Sequence, residues 1–471
     1  MRKTKIICTL GPATDNPEIM RALLESGMDV ARFNFSHGTQ EEQLKRLKLL
    51  KTLREETGHN TAALLDTKGP EIRLGVFEGG RVPLKAGDKF ILTTEECTGT
   101  SERAYINYAG LPGDVRPGIR ILLDDGKISL MVSAVRGKEI ECTVENDGTV
   151  SDRKGVNVPG VALNMPYISK KDYDDLVFGA KAGFDFVAAS FVRTADDVKE
   201  VRMLLNWNGG EKMKIISKIE NLQGVQNFDE ILAVSDGIMI ARGDMGVELP
   251  LEDVPIIQKQ LIKKVFAQGK PVITATQMLE SMMNCPRPTR AETTDVANAI
   301  YDGTSAIMLS GETAAGNFPV AALQTMVRLA ERTESDIDYI HNFQKRDFNL
   351  KGNITHAISH AACTSAVELG AEAIVTFTLS GRSSQEVSAF RPGCRIIACT
   401  SSDQTYRHLS LNWGVEPFKV ENEVNLDNLF DNSLDALKKA GLLKTNDMLV
   451  LAAGVPIGVS GATNFIKVVR A

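Results

Sequence analysis

Eight short apolar runs, most of them separated by longer amphipathic segments, constrain the fold of this chain more than any other feature. Continuous apolar runs of this length are typical of strands that are buried on both faces, as in parallel sheets. The segments between them carry apolar residues at three- and four-residue spacing, which predicts helices. Eight such units predict a (β/α)8 TIM barrel of the α/β class. The predicted strands span residues 5–10, 29–33, 62–66, 184–190, 214–219, 237–241, 271–275 and 306–309.

Two further regions interrupt or follow the barrel pattern. Residues 70–165 are rich in glycine, valine and turn signals, with short β-runs between them. This pattern predicts a small inserted β-barrel domain, placed to cover the catalytic end as a lid. After about residue 340, strands and helices alternate again, which predicts a C-terminal open α/β domain. The predicted domains are therefore residues 1–69 with 166–340, residues 70–165, and residues 341–471.

Charge and composition exclude several classes of protein. The formal net charge is −6, so a general surface for nucleic acid or anionic membrane is not expected. No run approaches the ~20 apolar residues of a membrane span, and the first residues lack the pattern of a signal peptide. The seven cysteines are scattered, as is usual in a reducing compartment. We expect a cytoplasmic protein with neither nucleic acid nor membrane as a partner.

The fifth predicted strand ends in an unusual pair of charges. Lys218 and Glu220 are two residues apart, so in a strand both side chains project to the same side. Burying an ammonium and a carboxylate together is costly unless function requires them. The sixth run leads into Asp244, and Mg²⁺ prefers carboxylates together with substrate oxygens and water. We expect Glu220 and Asp244 to hold a divalent ion, and Lys218 to face an anion.

Polar residues also follow most of the other predicted strands, where a TIM barrel builds its active site. Arg32 and Arg73 offer guanidinium groups for a phosphorylated or dianionic substrate, although a surface salt bridge also explains Arg73. A set of oxygens suited to a monovalent cation comes from Asn34, Ser36, Asp66 and Thr67. Capping and turn hydrogen bonds explain this set almost as well.

The C-terminal region carries a second candidate site. Residues 378–384, TLSGRSS, follow a predicted strand and lead into a helix. Backbone amides and hydroxyls at a helix N-terminus suit a phosphate group, although ordinary turn chemistry explains the loop too. A second glycine-rich loop spans residues 454–461. The chain has no complete P-loop motif, so any nucleotide chemistry is of another kind.

Seven motifs, in order along the chain, closely resemble those of the pyruvate kinase family, of the compact bacterial type without a C-terminal extension. They are TKIICTLGP (4–12), RFNFSHG (32–38), LDTKGPEIR (65–73), SKIEN (217–221), ARGDMGVE (241–248), TATQMLESM (274–282) and NCPRPTRAE (284–292). The resemblance runs over essentially the whole length.

The resemblance implies the last step of glycolysis, in which phosphoenolpyruvate transfers its phosphoryl group to ADP. The products are ATP and enolpyruvate, which takes up a proton to become pyruvate. Substrate contacts are implied for Arg32, Lys218, Gly243, Asp244 and Thr276. Lys218 stabilises the charge of the transferring group, and Thr276 and Ser310 lie where a hydroxyl–water relay delivers the proton. The implied catalytic residues are therefore Lys218, Thr276, Arg32 and Ser310.

The same resemblance implies the remaining ligands. Mg²⁺ or Mn²⁺ is held by Glu220 and Asp244. Nucleotide contacts are implied for Asn34, His37, Arg73 and Lys154, the last from the inserted domain as it closes. The K⁺ site is implied to consist of Asn34, Ser36, Asp66 and Thr67. Members with glutamate at the position of Glu71 tend to need K⁺, whereas those with lysine supply the positive charge themselves, so we expect K⁺-dependent activity.

The C-terminal domain is similar to the family's effector domain. A sugar-phosphate effector is implied to bind through Thr378, Ser380, Gly381, Arg382 and Ser383. Members are usually homotetramers, and we expect the same assembly here. Two other functions remain open: a Mg²⁺-dependent lyase or aldolase acting through pyruvate enolate, and a non-catalytic barrel that senses sugar phosphates. ADP-dependent turnover separates the kinase from the lyase, while the set of Lys218, Glu220, Asp244 and Thr276 argues against a protein that only binds.

Overall fold

Eight parallel strands close into a barrel in the computed structural model, which describes residues 2–345, 353–423, 425–456 and 463–471. The first strand pairs with both the second and the eighth, which confirms the predicted TIM barrel. Each observed strand lies within two residues of its predicted limits. In chain order, barrel strands 1 to 8 are Lys5–Leu10, Val30–Asn34, Ala62–Asp66, Phe186–Ala189, Lys214–Ile219, Gly237–Ala241, Val272–Ala275 and Ala306–Leu309.

The largest difference is in barrel strand 4, which is shorter than predicted at both ends. The chain turns away from the sheet after Ser190, because Phe191 has a positive φ of 53°. At the other end, the Asp185 carboxylate accepts a hydrogen bond of 2.8 Å from the Ala63 amide of the neighbouring strand. The Asp185 backbone also bonds both neighbouring strands, since Asp185 N donates to Ala63 O at 2.9 Å and Lys214 N donates to Asp185 O at 3.1 Å.

Helices surround the barrel and bury their apolar faces against it. Three of them begin with a capping box at Thr39, Thr194 or Thr289. The threonine hydroxyl accepts a hydrogen bond from the backbone amide three residues later, and the acidic side chain of that residue accepts one from the threonine amide. The helices of the barrel region are Pro17–Glu25, Gln40–Thr57, Lys170–Ala182, Ala195–Trp207, Leu222–Gln226, Phe228–Val234, Arg242–Glu248, Val254–Ala267, Arg290–Tyr301, Gly311–Ala314, Pro319–Glu334 and Tyr339–Lys345.

The inserted region forms a seven-stranded sheet and a two-stranded sheet around its own core. The first and last strands of the larger sheet meet, because Gly75 N donates to Tyr105 O (2.8 Å) and Asn107 N donates to Arg73 O (3.1 Å). This closure agrees with the predicted small β-barrel. Its strands are Ile72–Arg73, Arg81–Leu84, Lys89–Thr93, Arg103–Tyr105, Arg120–Leu123, Ile128–Arg136, Glu139–Val144, Gly148–Ser151 and Gly155–Asn157, with a short helix at Leu111–Asp114.

The C-terminal region is an open five-stranded sheet with helices, as predicted. Its strands are Ala373–Phe377, Arg395–Thr400, Val415–Lys419, Met448–Gly454 and Thr463–Arg470; its helices are Ile354–Glu368, Arg382–Ala389, Asp403–His408 and Leu426–Lys439. This domain covers the amino end of the barrel, where Leu411 joins the cluster of side chains that fills the barrel interior. Arg407 Nε also contacts Asp185 Oδ1 at 2.6 Å. The carboxyl end of the barrel, where TIM barrels build their sites, faces the inserted domain instead.

Among the described residues, the helices are all too short or too polar to cross a membrane.

Candidate active site

Buried polar groups from three neighbouring strands converge on Lys218 at the carboxyl end of the barrel. Lys218 Nζ lies 3.1 Å from Asp66 Oδ1, 3.0 Å from Glu220 Oε1 and 2.8 Å from Ser190 Oγ. Asp66 ends barrel strand 3, Ser190 follows strand 4, and Lys218 and Glu220 lie at the end of strand 5. All four residues are buried. Because water cannot solvate these charges, each depends on the others for stabilisation. We call these four residues, with Arg32, the Lys218 cluster.

Arg32 completes the cluster from barrel strand 2. Its Nε lies 2.5 Å from Asp66 Oδ2, and its Nη1 donates to Thr9 Oγ1 at 3.0 Å. Burial opposes the charge on Asp66, but Arg32 and Lys218 outweigh it and lower the pKa of Asp66. Burial likewise opposes the charge on Lys218, yet Asp66 and Glu220 raise its pKa above the ordinary lysine value. Lys218 is therefore a fixed cation throughout the physiological pH range.

Glu220 is the least compensated charge in the cluster. Its Oε2 accepts a hydrogen bond of 2.5 Å from the Phe191 amide, whereas Oε1 has no hydrogen bond of good geometry within the described structure. Burial raises the pKa of Glu220 to about 8; Lys218 opposes this shift, and the Asp244 carboxylate adds to it. An under-bonded buried oxygen next to a second carboxylate is suited to a divalent cation. Mg²⁺ commonly takes one or two protein carboxylates and fills its other positions with substrate and water, so Glu220 and Asp244 fit this ion. The described residues contain no group of three or more His, Cys, Asp or Glu placed for a metal.

Thr276 is held in place at the end of barrel strand 7. Its backbone has a positive φ of 69°, a conformation that costs free energy in a β-branched residue. Arg242 Nη2 donates to Thr276 O at 2.7 Å, and the Arg242 guanidinium is anchored in turn by Asp295. The Thr276 hydroxyl accepts a 2.7 Å hydrogen bond from Gly243 N. The Thr276 hydroxyl thus contacts the residue immediately before Asp244.

Ser310 follows barrel strand 8. Its hydroxyl is buried and has no hydrogen-bond partner within the described part of the chain. Its backbone amide donates to Glu312 Oε2 at 2.7 Å, and Glu312 Oε1 accepts from Leu279 N at 3.0 Å. The buried Glu312 carboxylate therefore ties the ends of strands 7 and 8 together.

Of the four predicted potassium ligands, Asp66 belongs to the Lys218 cluster and Thr67 bonds Ser190 of that cluster. Asn34 and Asp66 are directly opposite each other in barrel strands 2 and 3. Asn34 Oδ1 accepts from Ser36 N at 3.0 Å, and Thr67 Oγ1 accepts from Ser190 N at 3.0 Å. Asn34 and Thr67 thus make local hydrogen bonds of the turn and capping kind, which is the alternative that the sequence left open for these four residues.

A cleft of about 660 Å³ opens between the barrel and the inserted domain. Its lining includes three of the predicted nucleotide residues, His37, Arg73 and Lys154, together with Asp244. Arg73 Nε lies 2.8 Å from Glu71 Oε2, and Lys154 Nζ lies 2.9 Å from an oxygen of Asp124. Both cations are at least one third exposed, so incoming phosphate groups can reach them.

The predicted effector residues form a separate loop in the C-terminal domain. Thr378 Oγ1 accepts from Gly381 N at 3.0 Å, and Gly381 has a positive φ of 85° at the start of its helix. Ser383 Oγ contacts Thr463 Oγ1 at 2.5 Å, while Arg382 and Ser380 are exposed. Most of the second glycine-rich loop, residues 457–461, lies outside the described residues.

Ser190 is not among the predicted site residues, although its hydroxyl is bonded to two charged members of the cluster, Lys218 and Asp66. Ser190 Oγ also donates to Thr67 O at 2.7 Å. The sequence could have pointed to Ser190 through its position, because it is the last residue of the predicted strand 184–190 and active-site residues follow the barrel strands.

Two family models match the chain: the pyruvate kinase barrel domain over residues 1–323 and the pyruvate kinase alpha/beta domain over residues 356–469. A pyruvate kinase from Clostridium acetobutylicum is 49% identical over 469 residues, with 99% of each chain covered. A pyruvate kinase from Geobacillus stearothermophilus is 50% identical, covering 99% of this chain and 80% of the relative. The solved structure of a pyruvate kinase from Cryptosporidium parvum matches with a TM-score of 0.94 and 40% identity, covering 100% of this chain and 96% of that one.

The chain belongs to the pyruvate kinase family. Membership confirms the resemblance noted in the sequence and makes the chain an enzyme of the phosphotransferase class. It also agrees with the predicted architecture of a barrel, an inserted domain and a C-terminal α/β domain. The roles of the individual residues stay predictions.

Replacing Ser190 by alanine is expected to slow phosphoryl transfer and leave the fold intact. The Lys218 ammonium loses a partner at 2.8 Å. A hydrogen bond to a charged group contributes about 1.5–3 kcal/mol, so loss of this interaction in the transition state lowers kcat by at most about 100-fold. Steady-state kinetics and thermal unfolding measure the two effects. The matched control is Ser217→Ala, which removes a buried hydroxyl bonded to Ser235 instead. Equal kcat values for the two variants would contradict a role for Ser190.

Proposed function

We propose that this enzyme transfers the phosphoryl group of phosphoenolpyruvate to ADP, giving pyruvate and ATP. The observation that carries this proposal is the buried Lys218 ammonium, held between Asp66 and Glu220 beside a cleft lined by cationic side chains. A phosphoryl group in transfer carries charge on its outer oxygens, and fixed cations stabilise that charge without reorganising.

Phosphoenolpyruvate would bind at the end of the cleft nearest the Lys218 cluster. Arg32 and Lys218 would contact its phosphoryl group, while Gly243, Asp244 and Thr276 would fix its carboxylate end. Mg²⁺ or Mn²⁺, held by Glu220 and Asp244, would supply further positive charge to the substrate oxygens. Because Asp66 and Ser190 hold the ammonium in one position, Lys218 is already oriented before the substrate arrives.

The nucleotide would lie in the same cleft, toward the inserted domain. His37, Arg73 and Lys154 line this region, and Asn34 lies nearby on the barrel. In the structure, Arg73 and Lys154 pair with Glu71 and Asp124, and the phosphates of ADP would replace these carboxylates as partners. The partial exposure of the two cations supports this exchange, since water and incoming phosphates can reach both of them.

Transfer leaves enolpyruvate, whose terminal carbon must gain a proton. The Thr276 hydroxyl faces the Gly243 side of the site, and the buried Ser310 hydroxyl has no partner within the described residues. A hydroxyl is a weak acid by itself, so Thr276 and Ser310 would relay a proton through ordered water. The unpartnered Ser310 hydroxyl supports this role because it leaves a hydrogen-bonding position open.

The proposal extends to the potassium site, the effector and the assembly. K⁺ would bind among Asn34, Ser36, Asp66 and Thr67, and a phosphorylated sugar would activate the enzyme through the loop from Thr378 to Ser383. The exposed Arg382 and the helix N-terminus behind Gly381 support an anionic effector. We also propose a cytoplasmic homotetramer, the assembly usual in the family.

The reaction is tested by measuring pyruvate formation from phosphoenolpyruvate with Mg²⁺, with and without ADP, in K⁺ buffer and in matched Na⁺ buffer. We expect turnover that requires ADP and rises in K⁺. Release of pyruvate with inorganic phosphate in the absence of ADP would contradict the kinase, because water would then be the acceptor of the phosphoryl group. Folded protein that stays inactive with ADP, K⁺ and sugar phosphates present would contradict any catalytic function of this kind.

Divalent-ion binding is expected to strengthen as the pH rises. Burial raises the pKa of Glu220 to about 8, so below that pH its carboxyl must release a proton before it binds a cation. Titration of Mn²⁺ by electron paramagnetic resonance, without substrates, should show a Kd that falls up to about tenfold per pH unit between pH 6 and 8 and then levels off. The Glu248→Gln control, which alters a half-buried carboxyl in the same cleft, should retain this profile. A Kd independent of pH would count against Glu220 as a ligand.

Replacing Glu71 by lysine is expected to reduce the dependence on K⁺. The Glu71 carboxylate lies 3.5 Å from Lys68 Nζ and 2.8 Å from Arg73 Nε, so an ammonium there would add positive charge at the nucleotide end of the cleft. The ratio of kcat in K⁺ to kcat in Na⁺ measures the effect. Glu71→Gln, which removes the negative charge without adding a positive one, should keep most of the dependence. An unchanged ratio in Glu71→Lys would refute this interpretation.

A further inference from the structure

One side-chain hydrogen bond crosses the cleft between the inserted domain and the barrel. Asn157 Nδ2 donates to Glu248 Oε1 at 2.9 Å, and both side chains are partly buried in the lining of the cleft. Asn157 ends the last strand of the inserted domain, and Glu248 ends the barrel helix Arg242–Glu248. The bond therefore joins two elements that belong to different domains and that both border the active site.

This bond is the specific polar contact between the two domains. Within the described structure, residues 72–157 make no other hydrogen bond or salt bridge to the barrel segments 2–66 and 167–340. The chain itself joins the domains at residues 67–71 and 158–166. The contact between Asn157 and Glu248 is thus placed to set the position of the inserted domain over the barrel.

Asn157 belongs to the part of the inserted domain that carries the predicted nucleotide cations. Its strand begins at Gly155, which pairs with Arg73, and Lys154 immediately precedes that strand. Arg73 and Lys154 are the cations that the proposed function assigns to the phosphates of ADP. Because paired strands move together, any displacement of Asn157 also displaces both cations.

Glu248 belongs to the helix that presents the predicted metal ligand. Asp244 and Glu248 are four residues apart, so they share one face of this helix. Burial raises the pKa of Glu248; the Asn157 amide opposes this shift, and the Asp244 carboxylate adds to it. Asn157 is therefore bonded to the same helical face from which Asp244 reaches the cleft.

We propose that Asn157 is a positioning residue for the nucleotide and acts through Glu248. Their hydrogen bond holds Arg73 and Lys154 in a fixed position relative to the metal-binding helix. A ligand binds more weakly in proportion to the fraction of protein that is not in the competent arrangement. A hydrogen bond to a charged group is strong enough to change that fraction by about 10- to 100-fold. This inference rests on the proposed transfer to ADP and assigns the nucleotide step one further residue.

Isothermal titration of ADP into the full-length protein, with Mg²⁺ present, tests the proposal. Asn157→Ala removes the donor without adding charge and should raise the Kd of ADP by about threefold or more. Asn157→Asp places a second carboxylate opposite Glu248 and should raise it by about tenfold or more. The double variant Asn157→Asp/Glu248→Gln exchanges donor and acceptor at the same net charge. It should return the Kd to within about threefold of the wild-type value.

A second set of measurements separates positioning from general disruption of the fold. The proposed contacts to phosphoenolpyruvate and Mn²⁺ all lie on the barrel, so their Kd values in Asn157→Ala, without nucleotide, should stay within about twofold of wild type. Thermal unfolding checks that the variants fold. The matched control is Asn432→Ala, which removes an asparagine–glutamate bond of 2.7 Å to Glu423 in the C-terminal domain. This control should leave the Kd of ADP unchanged.

Three results would overturn the inference. They are a Kd of ADP within about twofold of wild type in both single variants, equal weakening of ADP, phosphoenolpyruvate and Mn²⁺ in Asn157→Ala, or no recovery in the double variant. Each is measured without turnover, so a wild-type enzyme that binds ADP but transfers no phosphoryl group would contradict only the proposed reaction. A wild-type enzyme that does not bind ADP would overturn both.

Discussion

One buried ammonium, that of Lys218, is the interaction on which the arrangement of the active site depends. A buried cation is stable only with opposite charges in fixed positions, and here Asp66 and Glu220 provide them from two different strands. The Arg32 guanidinium in turn stabilises the buried Asp66 carboxylate. Glu220 keeps one oxygen without a hydrogen-bond partner among the described residues, on the side of Asp244. The closed barrel brings these groups together, because it gathers the carboxyl ends of eight strands into one small area.

The fold was largely readable from the sequence because strands and helices have different hydrophobic periods. Runs such as 214–219 and 237–241 have their predicted limits in the structure, since short continuous apolar runs are typical of strands buried on both faces. The shared direction of Lys218 and Glu220 also followed from the two-residue repeat of a strand. Periodicity, however, does not show which residues from distant segments meet. Ser190 and Lys218 are 28 residues apart, and their hydrogen bond depends on the turn at Phe191, whose positive φ has no glycine to signal it.

Other contributions to the site were hidden for a similar reason. Glu312 looks like a charged loop residue in the sequence, yet it is fully buried and bonds the backbone of two strand ends. The positive φ of Thr276 is unusual for a β-branched residue, and local preference alone would not predict it. The Arg242 guanidinium, which donates to Thr276 O, supports that conformation. At the other end of the barrel, Leu411 fills the interior from the C-terminal domain, a contact between segments that no local pattern encodes.

The most direct test of this account is the single-turnover rate of phosphoryl transfer in Lys218→Met, measured by rapid quench at saturating phosphoenolpyruvate, ADP and Mg²⁺. If the fixed ammonium stabilises the charge of the transferring group, the rate should fall by about 10²–10³-fold or more, whereas the affinity for phosphoenolpyruvate should change far less. Lys212→Met, at an exposed lysine outside the site, should keep the wild-type rate. A folded Lys218→Met enzyme that transfers the phosphoryl group within tenfold of the wild-type rate would contradict the account.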